Sequence, residues 1–421
     1  MMVQTSNTIK SSYQKQLVEN TNIHLNIVMN LEVIDKPMVT RDESGRKRIL
    51  LVVEPIGRGH SVQFDILRLL SSELLDHYDV SIASSYIDEG KANHLTSIGV
   101  HVISSLRFSF FRSMLKASRL ENESTLWLGS WFGGTLLNSN EKIISSLIKN
   151  KRFDTIVNLT NTIPVGCDLW WSQGIPLYLT LSKIGENNRY ARLATRYFSG
   201  IIEKADVKLL RRIRQGSRKF VVISKYQYNF YEEMGFAPDG IIHTFNDFSK
   251  FIPSKEIGIE SYVLTYISKE TDFFVLRGMA ANGIKVVGFG SKIPAGTNVS
   301  ELSNYVDFRG FVETSELIRL YSNALFTAFP FTIEVLGLVP LESMACGTPV
   351  LTYNEQGPGE TVLNERTGWL VGSRDEFIKK SAELWQGSNF LKNSDIRQQC
   401  VERVREFSVE RAIRELSKFI G

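Results

Sequence analysis

Two kinds of apolar pattern alternate along this chain. Short uninterrupted runs at residues 49–53, 80–83, 101–104 and 155–159 are separated by stretches in which apolar residues recur every three or four positions. A continuous apolar run suits a strand covered on both faces, and a spacing of three to four suits a helix with one covered face. Their alternation predicts parallel β-α units. The first unit is the plainest: Ile49-Leu-Leu-Val-Val53 closes on Pro55-Ile-Gly-Arg-Gly59 and leads into a helix over about residues 62–75. After the turn-rich Asn246-Asp-Phe-Ser-Lys-Phe-Ile-Pro253 the pattern restarts, with runs at 262–267, 285–289, 305–308, 325–329 and 350–353. The expectation is an α/β chain of two doubly wound domains, residues 48–247 and 248–421, behind a polar, loosely ordered extension over residues 1–47. Ligands in open α/β sheets sit beyond the carboxyl ends of the strands, so the site is expected in a cleft between the two domains.

Composition narrows the class. A chain of 421 residues exceeds the roughly 250–300 residues that one core serves, which agrees with two domains. Its 43% hydrophobic and 22% charged residues are those of a globular protein, neither disordered nor fibrous. Cys167, Cys346 and Cys400 are widely spaced and form no C-x-x-C pair, so neither a disulfide framework nor a zinc knuckle is expected and a reducing compartment fits. The start of the chain has no apolar signal core, and no run approaches the roughly 18 apolar residues of a spanning helix. No Asp-x-Asp occurs, and no two histidines have helical ligand spacing. Neither a metal nor any other cofactor is expected.

Charge adds a candidate partner. Residues 183–219 hold eleven Lys or Arg against three Asp or Glu, in a chain whose net charge is +4. Residues 107–119 add Arg107, Arg112, Lys116 and Arg119 with no acid; Phe108, Phe111 and Leu115 recur at helical spacing while Arg112, Lys116 and Arg119 share another face. That is a basic amphipathic helix. A solvated helix face explains either segment alone; together, in one domain, they point to an anionic membrane surface. Aromatic stacking motifs and a recognised binding module are missing, so nucleic acid is not an expected partner.

The chemistry is concentrated in Phe331-Thr-Ile-Glu-Val-Leu-Gly-Leu-Val-Pro-Leu-Glu-Ser-Met-Ala-Cys-Gly-Thr-Pro-Val350. This segment leaves a strand, turns at Gly337, enters a short helix near Val339 and Pro340, and ends at Gly347. Backbone N–H groups around Gly337 and Leu338 then point outward at a positive helix end, a cradle for a diphosphate. Glu334 before the helix and Glu342 within it can accept hydrogen bonds from hydroxyls near the phosphates. On the first domain, Gly57-Arg-Gly-His60 ends the first strand as a glycine loop facing a ligand would. It is not a dinucleotide fingerprint, because Val62 stands where the third glycine of G-x-G-x-x-G belongs.

The segment resembles family 4 of the retaining glycosyltransferases, whose hallmark is two glutamates with seven residues between them, within a pattern like E-G-F-G-L-x-x-x-E-A-M-A-x-G-x-P-V. Glu334, Gly337, Leu338, Glu342, Met344, Ala345, Gly347, Pro349 and Val350 fall on it, and Gly357-Pro-Gly-Glu-Thr-Val362 and Thr367-Gly-Trp-Leu-Val371 resemble its continuation. The resemblance covers most of residues 49–400. It implies the GT-B fold, two Rossmann-like domains facing a central cleft, with the last helix able to return to the N-terminal domain. It implies a hexosyltransferase that moves a sugar from a UDP- or GDP-sugar to an acceptor with retention and without a metal. Glu334 would contact the donor sugar as the catalytic residue, Glu342 the ribose hydroxyls, and the backbone at Gly337 and Leu338 the diphosphate. Gly310 and Phe311, in Asp307-Phe-Arg-Gly-Phe-Val312, would flank the nucleobase. Gly57, Arg58, Gly59, His60 and Gln173 would face the acceptor.

This sequence departs from the family at three places. Only Lys269, in Tyr266-Ile-Ser-Lys-Glu-Thr271, stands near the position where an Arg and a Lys usually grip the diphosphate. Gln173 replaces a histidine of the first domain, and Val335 and Leu336 replace a small residue and an aromatic one. With the basic segments, the expected acceptor is a lipid-linked glycan at the cytoplasmic face of a membrane, to which the protein would attach peripherally. Two other readings stay open: a sugar-nucleotide epimerase of the same shape, and a non-catalytic partner that keeps the fold.

Overall fold

A computed structural model describes residues 45–58, 61–104, 123–137, 139–184, 189–254, 262–290, 299–387 and 395–420. The extension to residue 44, Gly59, His60 and the segment with Arg107, Arg112, Lys116 and Arg119 lie outside the described residues. The first domain runs β1 (Lys47–Val52), α1 (Val62–Leu74), β2 (Tyr78–Ser84), α2 (Glu89–Ser97), β3 (His101–Ser104), α3 (Glu123–Phe132), α4 (Ser139–Ile148), β4 (Thr155–Asn158), β5 (Cys167–Ser172), α5 (Leu177–Ile184), α6 (Arg189–Gln215), β6 (Ser217–Val222), α7 (Lys225–Glu233) and β7 (Gly240–Ile241). The second runs β8 (Val263–Tyr266), α8 (Phe273–Ala281), β9 (Val286–Phe289), α9 (Val299–Leu302), β10 (Asp307–Phe308), α10 (Thr314–Asn323), β11 (Thr327–Phe329), α11 (Leu338–Ala345), β12 (Val350–Tyr353), α12 (Pro358–Thr361), β13 (Gly368–Val371), α13 (Arg374–Gln386), α14 (Ile396–Val404) and α15 (Val409–Ile420).

Both sheets are wholly parallel, with strand orders β3-β2-β1-β4-β5-β6-β7 and β10-β9-β8-β11-β12-β13. The order reverses at β1/β4 in one and at β8/β11 in the other, so each domain has a switch point at the carboxyl ends of those strands. β1 explains why its sequence reads as an unbroken apolar run: Ile49, Leu50, Leu51 and Val52 are all fully buried, two on each face. The chain then enters α1, where Ser61 caps the helix by accepting the N–H of Phe64 at 3.0 Å. Leu67, Leu70 and Leu74 carry its covered face.

Four strands, β5, β6, β7 and β13, lie outside the apolar runs read from the sequence. β5 is Cys-Asp-Leu-Trp-Trp-Ser, and each indole N–H needs a distant acceptor: Trp170 donates to the Thr160 carbonyl at 2.8 Å and Trp171 to that of Ile242 at 3.1 Å. β7 is two residues long, too short to leave a periodic trace. Gln173 follows the last residue of β5, at the carboxyl end of that strand.

The C-terminal helix α15 crosses to the first domain. Its buried Ala412, Leu416 and Ile420 join the cluster that holds Leu67, Leu70 and Leu74 of α1. Phe419 lies so close to Gly240 that a Cβ there would stand 2.7 Å from its ring.

Because Leu416 is fully buried in that shared cluster, Leu416→Ala should cost about 2–5 kcal/mol of stability, read from urea unfolding. A loss below about 0.5 kcal/mol, within the range of surface substitutions, would show that α15 does not hold the two domains together.

Candidate active site in the interdomain cleft

Each switch point places an acidic residue at the cleft. Glu54 follows β1 and receives two donors from the loop after β4: the N–H of Asn161 at 3.1 Å and the hydroxyl of Thr162 at 2.6 Å. Across the cleft, the turn after β8 is laced to the turn after β11, with the N–H of Thr332 donating to the Glu270 carbonyl at 2.9 Å and that of Asp272 to the Pro330 carbonyl at 2.8 Å. Glu334 comes four residues beyond Pro330.

The Glu334 turn is built by its own backbone. One carboxylate oxygen accepts the N–H of Val335 at 2.8 Å and of Leu336 at 3.3 Å. Gly337 then adopts φ 98° as the N-terminal cap of α11, a left-handed conformation that glycine takes without strain. A Cβ there would also press on Pro358 and Pro340, at 3.0 and 3.1 Å. At its other end α11 closes on Gly347, φ 76°, with the N–H of Thr348 donating to Ser343 and that of Gly347 to Met344, both at 2.9 Å. This double bond fixes the helix register. The first-turn N–H groups of α11 therefore face the cleft with a positive field.

Glu342, one turn further along α11, is held by Asn246 Nδ2 at 3.0 Å from the interdomain linker and by the Tyr321 hydroxyl at 3.4 Å from α10. Burial pushes the pKa of Glu54, Glu334 and Glu342 up to about 7 in each case. The donors just named work against that rise, while Glu270 adds to it at Glu334 and Asp65 at Glu342. All three carboxyls thus titrate near neutrality, where a proton can be gained or lost at little cost.

A cavity of about 250 Å³ lies between the domains. Its wall is mainly apolar: Val53, Ile66, Trp171 and Ile223 from one side, Val335 and Leu336 from the other. Into this wall are set Glu54, Gln173, Thr244, Glu334, Gly337 and Leu338. The Thr244 hydroxyl is buried with no hydrogen-bond partner, an arrangement that costs free energy unless a ligand or water completes it.

Of the ten expected site residues that are described, four meet on the cavity and six do not. Glu334, Gly337, Leu338 and Gln173 come together on the cavity. Glu342 is half-buried and is not among the lining residues. Lys269 is half exposed and pairs with Glu270 at 3.6 Å. Gly310 accepts the N–H of Gly290 at 2.9 Å, at the edge of the second sheet, and Phe311 beside it is 57% exposed. Gly57 is buried in the loop after β1, while Arg58 points away to Asp88 at 3.2 Å. Glu54, Thr244 and Asn246 are additions that the sequence reading did not single out. Only Glu54 left a signal, as an acid closing an apolar strand at its carboxyl end.

Comparison with known proteins agrees with this geometry. The family model for group 1 glycosyl transferases matches residues 299–407, which include Glu334, Gly337 and Glu342. A glycogen synthase of Mycobacterium tuberculosis is 41% identical over 68 residues, 16% of this chain and 16% of its own length. Among solved structures, sucrose-phosphate synthase from Thermosynechococcus elongatus superimposes with a TM-score of 0.64 at 15% identity, over 89% of this chain and 98% of that one. HepE of Anabaena, solved in complex with UDP, gives 0.57 at 15% identity, over 88% and 98%. The resemblance drawn from the sequence is borne out: residues 299–407 are similar to group 1 glycosyl transferases, and the two described sheets with their helices have the GT-B architecture.

A carboxyl whose pKa rises from 4.5 to about 7 on folding holds its proton longer in the folded chain, so the native state loses stability as pH climbs between those values. Glu54→Gln should remove one such contribution. Urea midpoints of variant and wild type should nearly coincide near pH 4.5 and separate in favour of the variant near pH 8. Parallel pH profiles would show that Glu54 titrates as an ordinary carboxyl.

Proposed function

We propose that the protein transfers a hexose-type sugar from a nucleotide diphosphate donor to an acceptor hydroxyl, with retention of anomeric configuration. The observation that carries this reading is the Glu334-to-Leu338 turn: a carboxylate, a left-handed glycine and a helix N-terminus in succession on the wall of an interdomain cavity. The diphosphate sits against the first-turn N–H groups of α11, which meet its charge through fixed dipoles. Glu334 faces the donor sugar, and Glu342, steadied by Asn246 and Tyr321, faces the ribose hydroxyls. A bond forms between the acceptor oxygen and the anomeric carbon as the bond from that carbon to the phosphate oxygen breaks. The hydroxyl proton passes to the leaving phosphate oxygen on the same face, so the chemistry needs no dedicated protein base.

The donor is a UDP- or GDP-sugar; likeness to HepE, solved with UDP, favours uridine. The acceptor enters from the first domain, where Gln173, Thr244 and Glu54 supply polar contacts within an apolar wall. That wall, with the basic character of the domain, supports a lipid-linked glycan presented at the cytoplasmic face of a membrane. A second reading, a sugar-nucleotide epimerase, draws on one observation, the two carboxyls Glu54 and Glu334 that titrate near neutrality on one cavity. It predicts an altered donor sugar when no acceptor is present.

Incubating the purified protein with a panel of UDP- and GDP-sugars should reveal slow donor hydrolysis with one of them. Glu334→Ala should lower turnover by about 10²–10³ while leaving affinity for the free nucleotide largely intact. Glu342→Ala should instead weaken nucleotide binding by roughly ten-fold or more, the effect of losing a hydrogen bond to a charged group. Equal loss of nucleotide binding in both variants would overturn the division of labour, and no turnover of any donor would favour a non-catalytic role. Activity should also survive EDTA. Complete loss on chelation, restored by manganese, would show that the helix end does not suffice to hold the diphosphate.

A further inference from the structure

Helix α6, Arg189–Gln215, is 27 residues long, and its two halves have different surroundings. In the second half Asp206, Leu209, Leu210 and Ile213 are buried, and the three apolar side chains join the core of the first domain. In the first half Leu193, Tyr197, Phe198 and Ile201 are 50, 67, 56 and 68% exposed. Four of the nine large hydrophobic residues found exposed in the described chain thus lie within nine positions. A cluster of this density on a surface marks a contact site.

The arrangement around the helix axis identifies the occupant. At about 100° per residue, Leu193, Tyr197 and Ile201 fall within an arc of roughly 80°, and Phe198 widens it by roughly 60°. Lys204, Lys208 and Arg211, all exposed, continue the same 80° arc towards the C-terminus of the helix. The face is therefore apolar for its first part and cationic for its second. At about 1.5 Å per residue the apolar part spans roughly 12 Å and the cations begin about 4.5 Å beyond it. That succession along one face fits a helix that enters a bilayer surface tilted, N-terminal half first, with its apolar side chains at the boundary of headgroups and acyl chains and its cations at the anionic phosphate layer. Glu203 lies on the flank of the arc. No helix among the described residues is long and apolar enough to cross a membrane.

We propose that α6 docks on an anionic lipid bilayer with its N-terminal half inserted, Leu193, Tyr197, Phe198 and Ile201 entering the interface and Lys204, Lys208 and Arg211 binding lipid phosphates. Attachment then has an apolar part that salt does not screen and an electrostatic part that it does. This inference is independent of sugar transfer, because it is read as binding of the protein to vesicles without any turnover.

The test uses co-sedimentation of the full chain with vesicles of phosphatidylglycerol and phosphatidylcholine, or of phosphatidylcholine alone. The wild type should bind the anionic vesicles, and the triple variant Tyr197→Ser, Phe198→Ser, Ile201→Ser should lose at least ten-fold in partitioning at low and at high salt. Each cation at an anionic surface strengthens binding roughly five-fold, so Lys204→Glu, Lys208→Glu, Arg211→Glu should cost on the order of a hundred-fold at low salt and abolish the preference for anionic lipid. Unaltered far-ultraviolet circular dichroism and Tm would confirm that both variants fold, as expected for exposed positions. As a single, milder probe, the added fluorescence of Phe198→Trp should shift to the blue on vesicle addition. Absence of vesicle binding, indifference to both sets of substitutions, or no spectral shift would overturn the proposal. So would a dimer of the wild type that Ile201→Ser converts to monomer, which would give the stripe to a second copy of the chain.

Discussion

The site depends on one close approach of two backbone segments. Gly357 lies against the Glu334 turn so tightly that a Cβ at that position would stand 1.9 Å from the Val335 carbonyl oxygen, and its N–H donates to the Glu334 carbonyl at 3.0 Å. The turn can curl its carboxylate back onto its own amides only because a glycine from the loop after β12 closes it from outside. Pro358 then presses on Gly337, and that contact in turn fixes where α11 begins. The position of the helix N-terminus, and with it the field at the cleft, follows from these contacts.

The same loop connects the domains. Glu360, three residues after Gly357, accepts the N–H of Tyr226 at 2.8 Å and lies 3.4 Å from His243 Nε2. Asn246 of the linker bonds Glu342, and α15 covers α1. The domains are therefore joined by polar contacts around the rim of the cleft and by an apolar contact behind it. Each of those polar contacts involves a carboxylate and is worth about 1.5–3 kcal/mol at most, whereas the apolar contact of α15 scales with buried area.

Within the cleft, polar groups fall into two sets. Those on the second domain, Glu334, Glu342 and the α11 amides, are held by neighbours close in the fold. Those on the first domain sit in an apolar wall, and one of them, the Thr244 hydroxyl, has no partner. A donor of fixed chemistry and an acceptor that brings an apolar portion would use the two sides in this way. The exposed stripe of α6 belongs to the first domain as well, so both apolar features lie on that domain.

What the sequence determined by itself was whatever neighbours along the chain decide. Strands covered on both faces show as apolar runs, as β1 and β12 do. The turn from Glu334 to α11 shows because its carboxylate, its left-handed glycine and its helix end all lie within a dozen residues. Tertiary structure decided what distant segments bring together. Trp170 and Trp171 form a strand because carbonyls of Thr160 and Ile242 receive their N–H groups. Glu54 becomes a site residue through Asn161 and Thr162, 107 and 108 positions away, and Glu342 is anchored by Asn246 from 96 positions away. The α6 stripe looked like a charged segment because its cations outnumber its acids in the sequence, and only the packing of its second half showed that its first-half apolar residues face outward. Periodicity reports that a helix has an apolar face; which face is covered depends on the neighbours the fold supplies.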